Sequence, residues 1–213
     1  MARLKVGVLI SGRGSNLQSL LDACADPAFP AEIALVISNI ADAYGLERAK
    51  QAGVETCVIS HKDFPSRAEF DQAIDARLRQ AGIETVCLAG FMRLLTAEFV
   101  AGWKGRMLNI HPSLLPNFKG MHTHAQALAA GVKLHGCTVH HVTAELDAGP
   151  IVAQAAVPVL EGDDEEALAA RVLRAEHQLY PLALGLLAGG KAAQDPLAVI
   201  FSPPPLSPPP EAR

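Results

Sequence analysis

Short apolar segments alternate with helical patterns along the first half of the chain. The segments rich in β-branched and other apolar residues cover residues 6–10, 33–37, 54–59 and 85–89. Between them, apolar residues recur at helical spacing, most clearly at Phe70, Ile74 and Leu78. This alternation predicts βαβ units and a mainly parallel sheet. We expect ligands to bind at the edge where the carboxyl ends of the strands meet.

The pattern changes after about residue 105. Strand patterns cover residues 106–110, 134–142 and 151–157, and the last two flank a loop, so they predict an antiparallel extension of the sheet. The longest helical pattern covers residues 163–188, with Asp163 as its expected N-cap. The predicted fold is an α/β domain with a Rossmann-like, mainly parallel, twisted sheet flanked by helices. The antiparallel extension belongs to its C-terminal half.

The length of the chain favours a single domain. Its 213 residues fit one unit with its own core, and we place the end of that unit at residue 195. Six of the 15 prolines lie among the last eleven residues. Because proline has no N–H group to donate to a helix or a sheet, residues 196–213 are interpreted as a proline-rich, mobile tail.

Composition excludes several classes of protein. Apolar residues make up 50% of the chain and charged residues 19%, which excludes general disorder. The net charge of −4 provides no basic field for nucleic acid or an anionic membrane, so an anionic ligand needs a local site. No segment is long and apolar enough to predict a membrane span. Four widely spaced cysteines are interpreted as buried free thiols of a cytoplasmic protein: Cys24, Cys57, Cys87 and Cys137.

A glycine-containing loop follows the first predicted strand and precedes a helix. Its sequence, Ser-Gly-Arg-Gly-Ser-Asn, occupies residues 11–16. Glycine allows a ligand to approach the backbone, and the free N–H groups of a helix N-terminus bind phosphate. A dinucleotide site would need a third glycine at the position of Leu17, so the loop favours a single phosphate. The alternative is a tight turn in which Ser15 or Asn16 caps the helix.

Six of the eight histidines lie between residues 111 and 141. One explanation is a metal site at His122 and His124, but carboxylate ligands are sparse nearby and no familiar metal-binding spacing is present. The other is catalysis, since Asn109 and His111 alternate on a predicted strand and project to the same side. An amide and an imidazolium placed there would stabilise an oxyanion. Asp147 is the natural acidic partner of His111, although spacing alone does not show that it reaches it. The other histidines are interpreted as structural: His61, His124, His135, His140, His141 and His177.

Several motifs, in order along the chain, resemble the folate-dependent formyltransferases. Residues 109–116, Asn-Ile-His-Pro-Ser-Leu-Leu-Pro, are similar to the signature of that family, and residues 10–17 are similar to its phosphate loop. Residues 120–124 and 135–140 resemble its phosphoribosylglycinamide formyltransferase branch, and residues 145–151 resemble the mobile folate loop of that branch. The resemblance covers roughly residues 4–190, and the motifs together are much more specific than any one alone.

The resemblance implies that a formyl group moves from 10-formyltetrahydrofolate to the glycinamide amine of 5-phosphoribosylglycinamide, in purine biosynthesis. It implies a catalytic group of Asn109, His111 and Asp147. It also implies two binding sets. The phosphate and ribose contacts would be Gly14, Ser15, Asn16 and Glu176. The folate contacts would be Arg67, Met92, Arg93, Leu94, Leu95, Thr143, Ala144, Glu145, Leu146 and Asp147.

The same resemblance implies an organisation and a set of partners. Residues 1–100 would form a phosphate-binding half and residues 101–195 a folate-binding and catalytic half. The substrates would be small molecules only, without nucleic acid, membrane, metal or ATP, and the protein would be a monomer or a homodimer. Two positions depart from the family pattern. Arg13 stands where many members have a small or amide residue, and Leu173 replaces a polar residue expected near the substrate.

Three other functions remain open on the sequence. A formyltetrahydrofolate hydrolase would use water as the acceptor of the formyl group. A methionyl-tRNA formyltransferase would need a basic C-terminal domain to bind its tRNA. A non-catalytic folate- or nucleotide-binding module would not need Asn109, His111 and Asp147 together.

Overall fold

Strands and helices alternate through most of the chain in this computed structural model, which describes residues 2–190 and 198–201. The strands of the described residues are β1 Leu4–Ile10, β2 Ala31–Ser38, β3 Glu55–Val58, β4 Thr85–Leu88, β5 Met107–His111, β6 Leu134–His141, β7 Ile151–Pro158 and β8 Val199–Phe201. The helices are α1 Ser15–Cys24, α2 Tyr44–Gln51, α3 Arg67–Gln80, α4 Ala97–Gly102, α5 Thr123–Ala129 and α6 Glu165–Ala188, with a 3₁₀ turn at His61–Asp63.

All these strands belong to one sheet, in the order β3-β2-β1-β4-β5-β6-β7-β8. The pairs from β3 to β5 are parallel, which confirms the predicted βαβ arrangement. The β5–β6 and β6–β7 pairs are antiparallel, which confirms the predicted extension. The strand order reverses between β1 and β4, and doubly wound sheets open a crevice for ligands at such a point.

The sheet has a hydrophobic core on each face, because its central strands are apolar on both sides. Val6, Val8 and Ile10 of β1 pack into one core, together with α1, α2 and α6. Leu9 points to the other core, which is completed by α3 and α4. The hydroxyl of Tyr180 in α6 donates to the Leu88 carbonyl at 2.9 Å, so α6 is fixed directly above β4.

The structure corrects three details of the sequence prediction. The cap of α6 is Asp164, whose side chain accepts from the N–H of Ala167, whereas Asp163 instead pairs with Arg171 at 2.6 Å. The helices α4 and α5 were not predicted. Cys57 is half-buried, although Cys24, Cys87 and Cys137 are buried as predicted, and all four cysteines are free.

The predicted tail also needs correction at its start. The predicted tail includes residues 199–201, but these residues form β8, which pairs in parallel with β7. Residues 196–197 and 202–213, which carry the rest of the tail prediction, lie outside the described residues. Within the described ranges, no helix combines the length and the apolar character needed to cross a bilayer.

Candidate active site

The phosphate loop (residues 11–16) connects β1 to α1 at the carboxyl edge of the sheet. Gly14 precedes α1 with φ of 69°, a left-handed conformation that a glycine adopts without strain. Ser15 begins the helix, so the first-turn N–H groups have no helical acceptor and are free to bind an anion. No side chain caps this end, so the alternative in which Ser15 or Asn16 serves as the cap is wrong.

Asn16 joins the phosphate loop to α6. Its Nδ2 donates to Oε2 of Glu176 at 2.7 Å, while its Oδ1 is buried without a partner among the described residues. Burial raises the pKa of Glu176 to about 7, and the hydrogen bond from Asn16 opposes that shift. The structure therefore brings together Gly14, Ser15, Asn16 and Glu176, which come from opposite ends of the chain.

Asn109 and His111 lie two residues apart on β5, so they project from the same face of the sheet. In the β5–β6 pair, Asn109 lies opposite His140 and His111 lies opposite Thr138. His111 is buried and Asn109 is half-buried. The two side chains are therefore held on a central strand rather than on a flexible loop.

Asp147 reaches His111 from the loop between β6 and β7. Its Oδ2 lies 3.5 Å from Nδ1 of His111 and accepts the N–H of Gly120 at 2.9 Å. Asp147 has φ of 49°, a left-handed conformation that asparagine and aspartate tolerate better than most residues. Gly149 brings this loop close to β6, since a Cβ there would lie 1.7 Å from the carbonyl oxygen of His141.

The ring of His111 lies between two oxygen acceptors. Its Nε2 lies 3.0 Å from the carbonyl oxygen of Phe118, and because a carbonyl only accepts, Nε2 carries a proton. Its Nδ1 faces the Asp147 carboxylate, which also accepts. Both ring nitrogens of His111 therefore face hydrogen-bond acceptors.

His140 belongs to the same cluster, although the sequence analysis interprets it as structural. Its Nδ1 lies 3.0 Å from the carbonyl oxygen of His141, so the proton is on Nδ1 and Nε2 accepts from Nδ2 of Asn109 at 3.3 Å. Burial lowers the pKa of His140, which keeps this ring neutral. Its Nε2 also lies 3.8 Å from Oδ1 of Asp147. No sequence signal identified His140, because the pairing of position 140 with position 109 is a property of the folded sheet.

The loop between β4 and α4 carries the predicted folate residues of the first half. The N–H of Met92 donates to Oγ of Ser11 at 2.8 Å, which joins this loop to the phosphate loop. Met92 and Leu94 are exposed, while Leu95 is half-buried. Two exposed apolar side chains, Met92 and Leu94, therefore lie on the loop that contacts the phosphate loop.

The remaining predicted folate residues lie on two other segments. Thr143, Ala144, Glu145 and Leu146 form the exposed start of the loop that ends in Asp147. Arg67 is exposed at the first residue of α3. In the part of the chain that the structure describes, neither Arg67 nor Arg93 forms an ion pair, so both guanidinium groups are available to an acidic ligand.

The two histidines of the candidate metal pair have different surroundings. His122 is exposed, and His124 instead contacts His135, with Nδ1 and Nε2 3.2 Å apart. Burial lowers the pKa of His135 to about 4, so both rings of this pair are held neutral at pH 7. Among residues 2–190 and 198–201, no three or more His, Cys, Asp or Glu side chains are grouped to bind a metal ion.

Comparison with known proteins gives a consistent result. A family model described as formyl transferase matches residues 4–184. The chain is 48% identical over 188 residues to phosphoribosylglycinamide formyltransferase of Escherichia coli strain K12, with 88% of this chain and 89% of that protein covered. It is 57% identical over 190 residues to trifunctional purine biosynthetic protein adenosine-3 of Drosophila pseudoobscura pseudoobscura. That match covers 88% of this chain, but this chain spans only 14% of the length of that relative.

A solved structure agrees with these matches. Phosphoribosylglycinamide formyltransferase from Brucella melitensis superposes with a TM-score of 0.85 at 56% sequence identity. The superposition covers 88% of this chain and 97% of the Brucella chain. The described sheet and its helices are thus shared with a protein of nearly the same extent.

Proposed function

Because the chain belongs to the formyl transferase family, we propose that it transfers the formyl group of 10-formyltetrahydrofolate to the glycinamide amine of 5-phosphoribosylglycinamide in purine biosynthesis. The observation that carries this proposal is the cluster of Asn109, His111 and Asp147 at one edge of the sheet. Relatives that bear this activity in their names match almost the whole described domain. We also propose that the protein acts in the cytoplasm, because its four cysteines are free thiols.

The two substrates would occupy neighbouring parts of this edge. The phosphate of one substrate would bind the phosphate loop through the N–H groups of the first turn of α1. The folate would cover the exposed apolar side chains Met92, Leu94 and Leu146, and its acidic tail would meet Arg67 or Arg93. The hydrogen bond from Met92 to Ser11 links the two loops, so the two substrates would lie side by side. Their reacting groups would then meet above Asn109 and His111.

The reaction would proceed by direct attack, without a covalent enzyme intermediate. The substrate amine forms a bond to the formyl carbon, and the carbonyl electron pair moves to the oxygen. Asn109 and the His111 imidazolium stabilise this oxyanion. The tetrahedral species then breaks the bond to the folate nitrogen, and a proton passes from the amine to that nitrogen. Asp147 favours the charged form of His111 and would order a water molecule for the proton relay.

Neither metal nor ATP would be required, because the formyl group of the folate is already attached to a nitrogen that can leave. Most of the rate would come from alignment of the two bound substrates together with the two oxyanion donors. A chelator added to the assay should therefore leave the turnover unchanged.

An assay with two acceptors tests the proposal. Purified protein is mixed with 10-formyltetrahydrofolate in the presence and absence of phosphoribosylglycinamide, and the formylated amine and free formate are measured. We expect formylated amine to dominate when the amine is present. Fast release of formate with no formylated amine would identify a hydrolase and contradict the proposal.

A variant links the activity to the cluster. Asn109→Ala removes one oxyanion donor, and such a loss typically lowers turnover by about a hundred- to a thousandfold. Asn117→Ala, on an exposed position of the following loop, is the matched control. If Asn109→Ala retains the turnover of the control while folate still binds, the proposed role of Asn109 is wrong.

A further inference from the structure

The start of α2 lies directly against the phosphate loop, and two glycines make this contact possible. The N–H of Gly45 donates to the carbonyl oxygen of Gly12 at 3.1 Å. A Cβ on Gly14 would lie 2.7 Å from Cα of Gly45, and a Cβ on Gly45 would lie 2.6 Å from Cδ1 of Ile10. No side chain fits between the two segments, so the position of α2 determines the path of the loop.

Arg48, one turn further along α2, binds the same loop from outside. Its Nε donates to the carbonyl oxygen of Arg13 at 2.9 Å, and its Nη1 donates to Oε1 of Gln18 at 3.1 Å. One guanidinium therefore holds both the loop and the second turn of α1. The hydrogen bond holds the Arg13 carbonyl on the side of Arg48. The N–H groups at the start of α1 are free for an anion.

The charge of Arg48 is not neutralised by a direct partner. Within the described ranges of the chain, Arg48 forms no ion pair with a carboxylate. Its guanidinium lies 5.0 Å from the centre of the Tyr44 ring, which restricts its position without cancelling its charge.

Arg48 also lines a cavity beside the phosphate loop. The cavity has a volume of about 330 Å³ and is lined by Ser15, Gln18, Ser19, Asp22, Arg48 and His177. Burial lowers the pKa of His177, and the Arg48 charge lowers it further, against the opposing effect of Asp22. Arg48 is thus the fixed cation of this cavity, and among its described lining residues the carboxylate is Asp22, which accepts from Nε2 of Gln18 at 2.8 Å.

We propose that Arg48 is a positioning residue for the substrate phosphate: it fixes the phosphate loop through the Arg13 carbonyl and Gln18, and its unpaired charge favours the bound anion. The inference rests on the proposed function, because it assigns the phosphate of that substrate to this loop.

Steady-state kinetics of Arg48→Gln test the proposal. We expect the KM for phosphoribosylglycinamide to rise about tenfold or more, the effect of losing a charge-assisted hydrogen bond. The KM for the folate and the kcat should change little, because the Arg48 side chain binds the Arg13 carbonyl and Gln18 rather than the residues proposed for folate or for catalysis. Lys50→Gln is the matched control, since Lys50 lies on the same helix and pairs with Glu47 at the surface.

A conservative variant separates charge from geometry. Arg48→Lys keeps the charge but cannot donate to Arg13 and Gln18 through the same planar group, so its KM should lie between those of wild type and Arg48→Gln. The proposal is wrong if Arg48→Gln and Lys50→Gln have the same KM for phosphoribosylglycinamide. It is also wrong if the KM values for phosphoribosylglycinamide and for the folate rise equally in Arg48→Gln. If Arg48→Gln fails to fold, the KM for phosphoribosylglycinamide of Arg48→Lys is compared with that of Lys50→Gln, and equal values contradict the proposal.

A binding measurement distinguishes this proposal from the proposed function. Stabilisation against heat by phosphoribosylglycinamide is measured for wild type, Arg48→Gln and Lys50→Gln, with inorganic phosphate as a second probe. If wild type transfers no formyl group but is stabilised by the substrate far more than Arg48→Gln, the role of Arg48 stands and the proposed function fails. If wild type is active and all three proteins are stabilised equally, the role of Arg48 fails and the proposed function stands.

Discussion

His140 orients the side chain of Asn109, although no sequence motif indicates this role. A backbone carbonyl fixes the proton on its Nδ1, which leaves Nε2 to accept from the amide of Asn109. The amide group of asparagine can be turned by 180° with little change in shape, so a partner is needed to select which atom faces the substrate. His140 supplies that selection, and the lowered pKa of His140 keeps its acceptor nitrogen free of a proton.

Replacement of His140 should therefore lower turnover rather than substrate binding. We expect His140→Ala to reduce kcat by about tenfold, the effect of losing one hydrogen bond in a buried network, with both KM values nearly unchanged. Steady-state kinetics with each substrate varied in turn measure the split. His141→Ala is the control, because the backbone carbonyl of His141, which accepts from Nδ1 of His140, is retained in that variant. Equal kcat values for the two variants would show that Asn109 needs no such partner.

At the scale of elements, the sequence predicted those parts of the fold that local patterns determine. The bounds of the strands β1 to β7 and of the helix α6 differ from the prediction by a few residues, and the helices α1 and α3 lie where the sequence predicts helices. The short helices α4 and α5 have only six and seven residues, too few for a periodic pattern to be distinct. The strand β8, with three residues, is defined by its pairing with β7 rather than by its composition.

The candidate site likewise combines residues that the sequence motifs indicate with residues that only the fold identifies. The motifs indicated Asn109, His111 and Asp147, but only the fold shows that the Asp147 carboxylate reaches His111 across the β6–β7 loop. His140 and Arg48 act through residues distant in sequence, so no spacing along the chain identified them. Family resemblance supplied Glu176, and the structure adds that its carboxyl is buried against Asn16.

The start of α6 gives a test at this scale. Two adjacent aspartates compete for the cap, and the structure assigns it to Asp164, which accepts the N–H of Ala167 at 2.8 Å. Asp164→Ala should lower the free energy of unfolding by about 1 kcal/mol, the usual cost of losing an N-cap. Urea unfolding followed by circular dichroism measures the change, with Glu166→Ala, an exposed position of the first turn, as the control. A loss no larger than that of the control would argue against Asp164 as the cap.

Across the whole molecule, buried titratable groups affect stability in opposite directions as the pH changes. Burial lowers the pKa of five histidines: His124, His135, His140, His141 and His177. The unfolded chain binds protons at these rings below about pH 6.5, whereas the folded chain binds them only at lower pH. Their contribution to stability is therefore complete above pH 6.5 and is lost on acidification, for His135 down to about pH 4.

Glu176 has the opposite effect, because burial raises its pKa from 4.5 to about 7. Between these values the folded chain binds the proton and the unfolded chain does not. The contribution of Glu176 is therefore complete below pH 4.5 and is lost as the pH rises through 7. Since one pKa unit corresponds to about 1.4 kcal/mol, the ionised carboxyl costs roughly 3 kcal/mol of stability at pH 8.

Glu176→Gln removes this cost while keeping an acceptor for Asn16. We expect the variant without ligand to be more stable than wild type at pH 8, by up to roughly 3 kcal/mol, and to approach wild type at pH 4.5. In wild type, proton uptake by Glu176 on acidification offsets part of the stability that is lost as the histidines become protonated. The variant lacks this offset, so its stability should fall more steeply than that of wild type on acidification from pH 7. Urea unfolding at several pH values measures both curves, with Glu166→Gln on the exposed face of α6 as the control. Parallel curves for Glu176→Gln and wild type would show that the carboxyl ionises equally in the folded and unfolded chains.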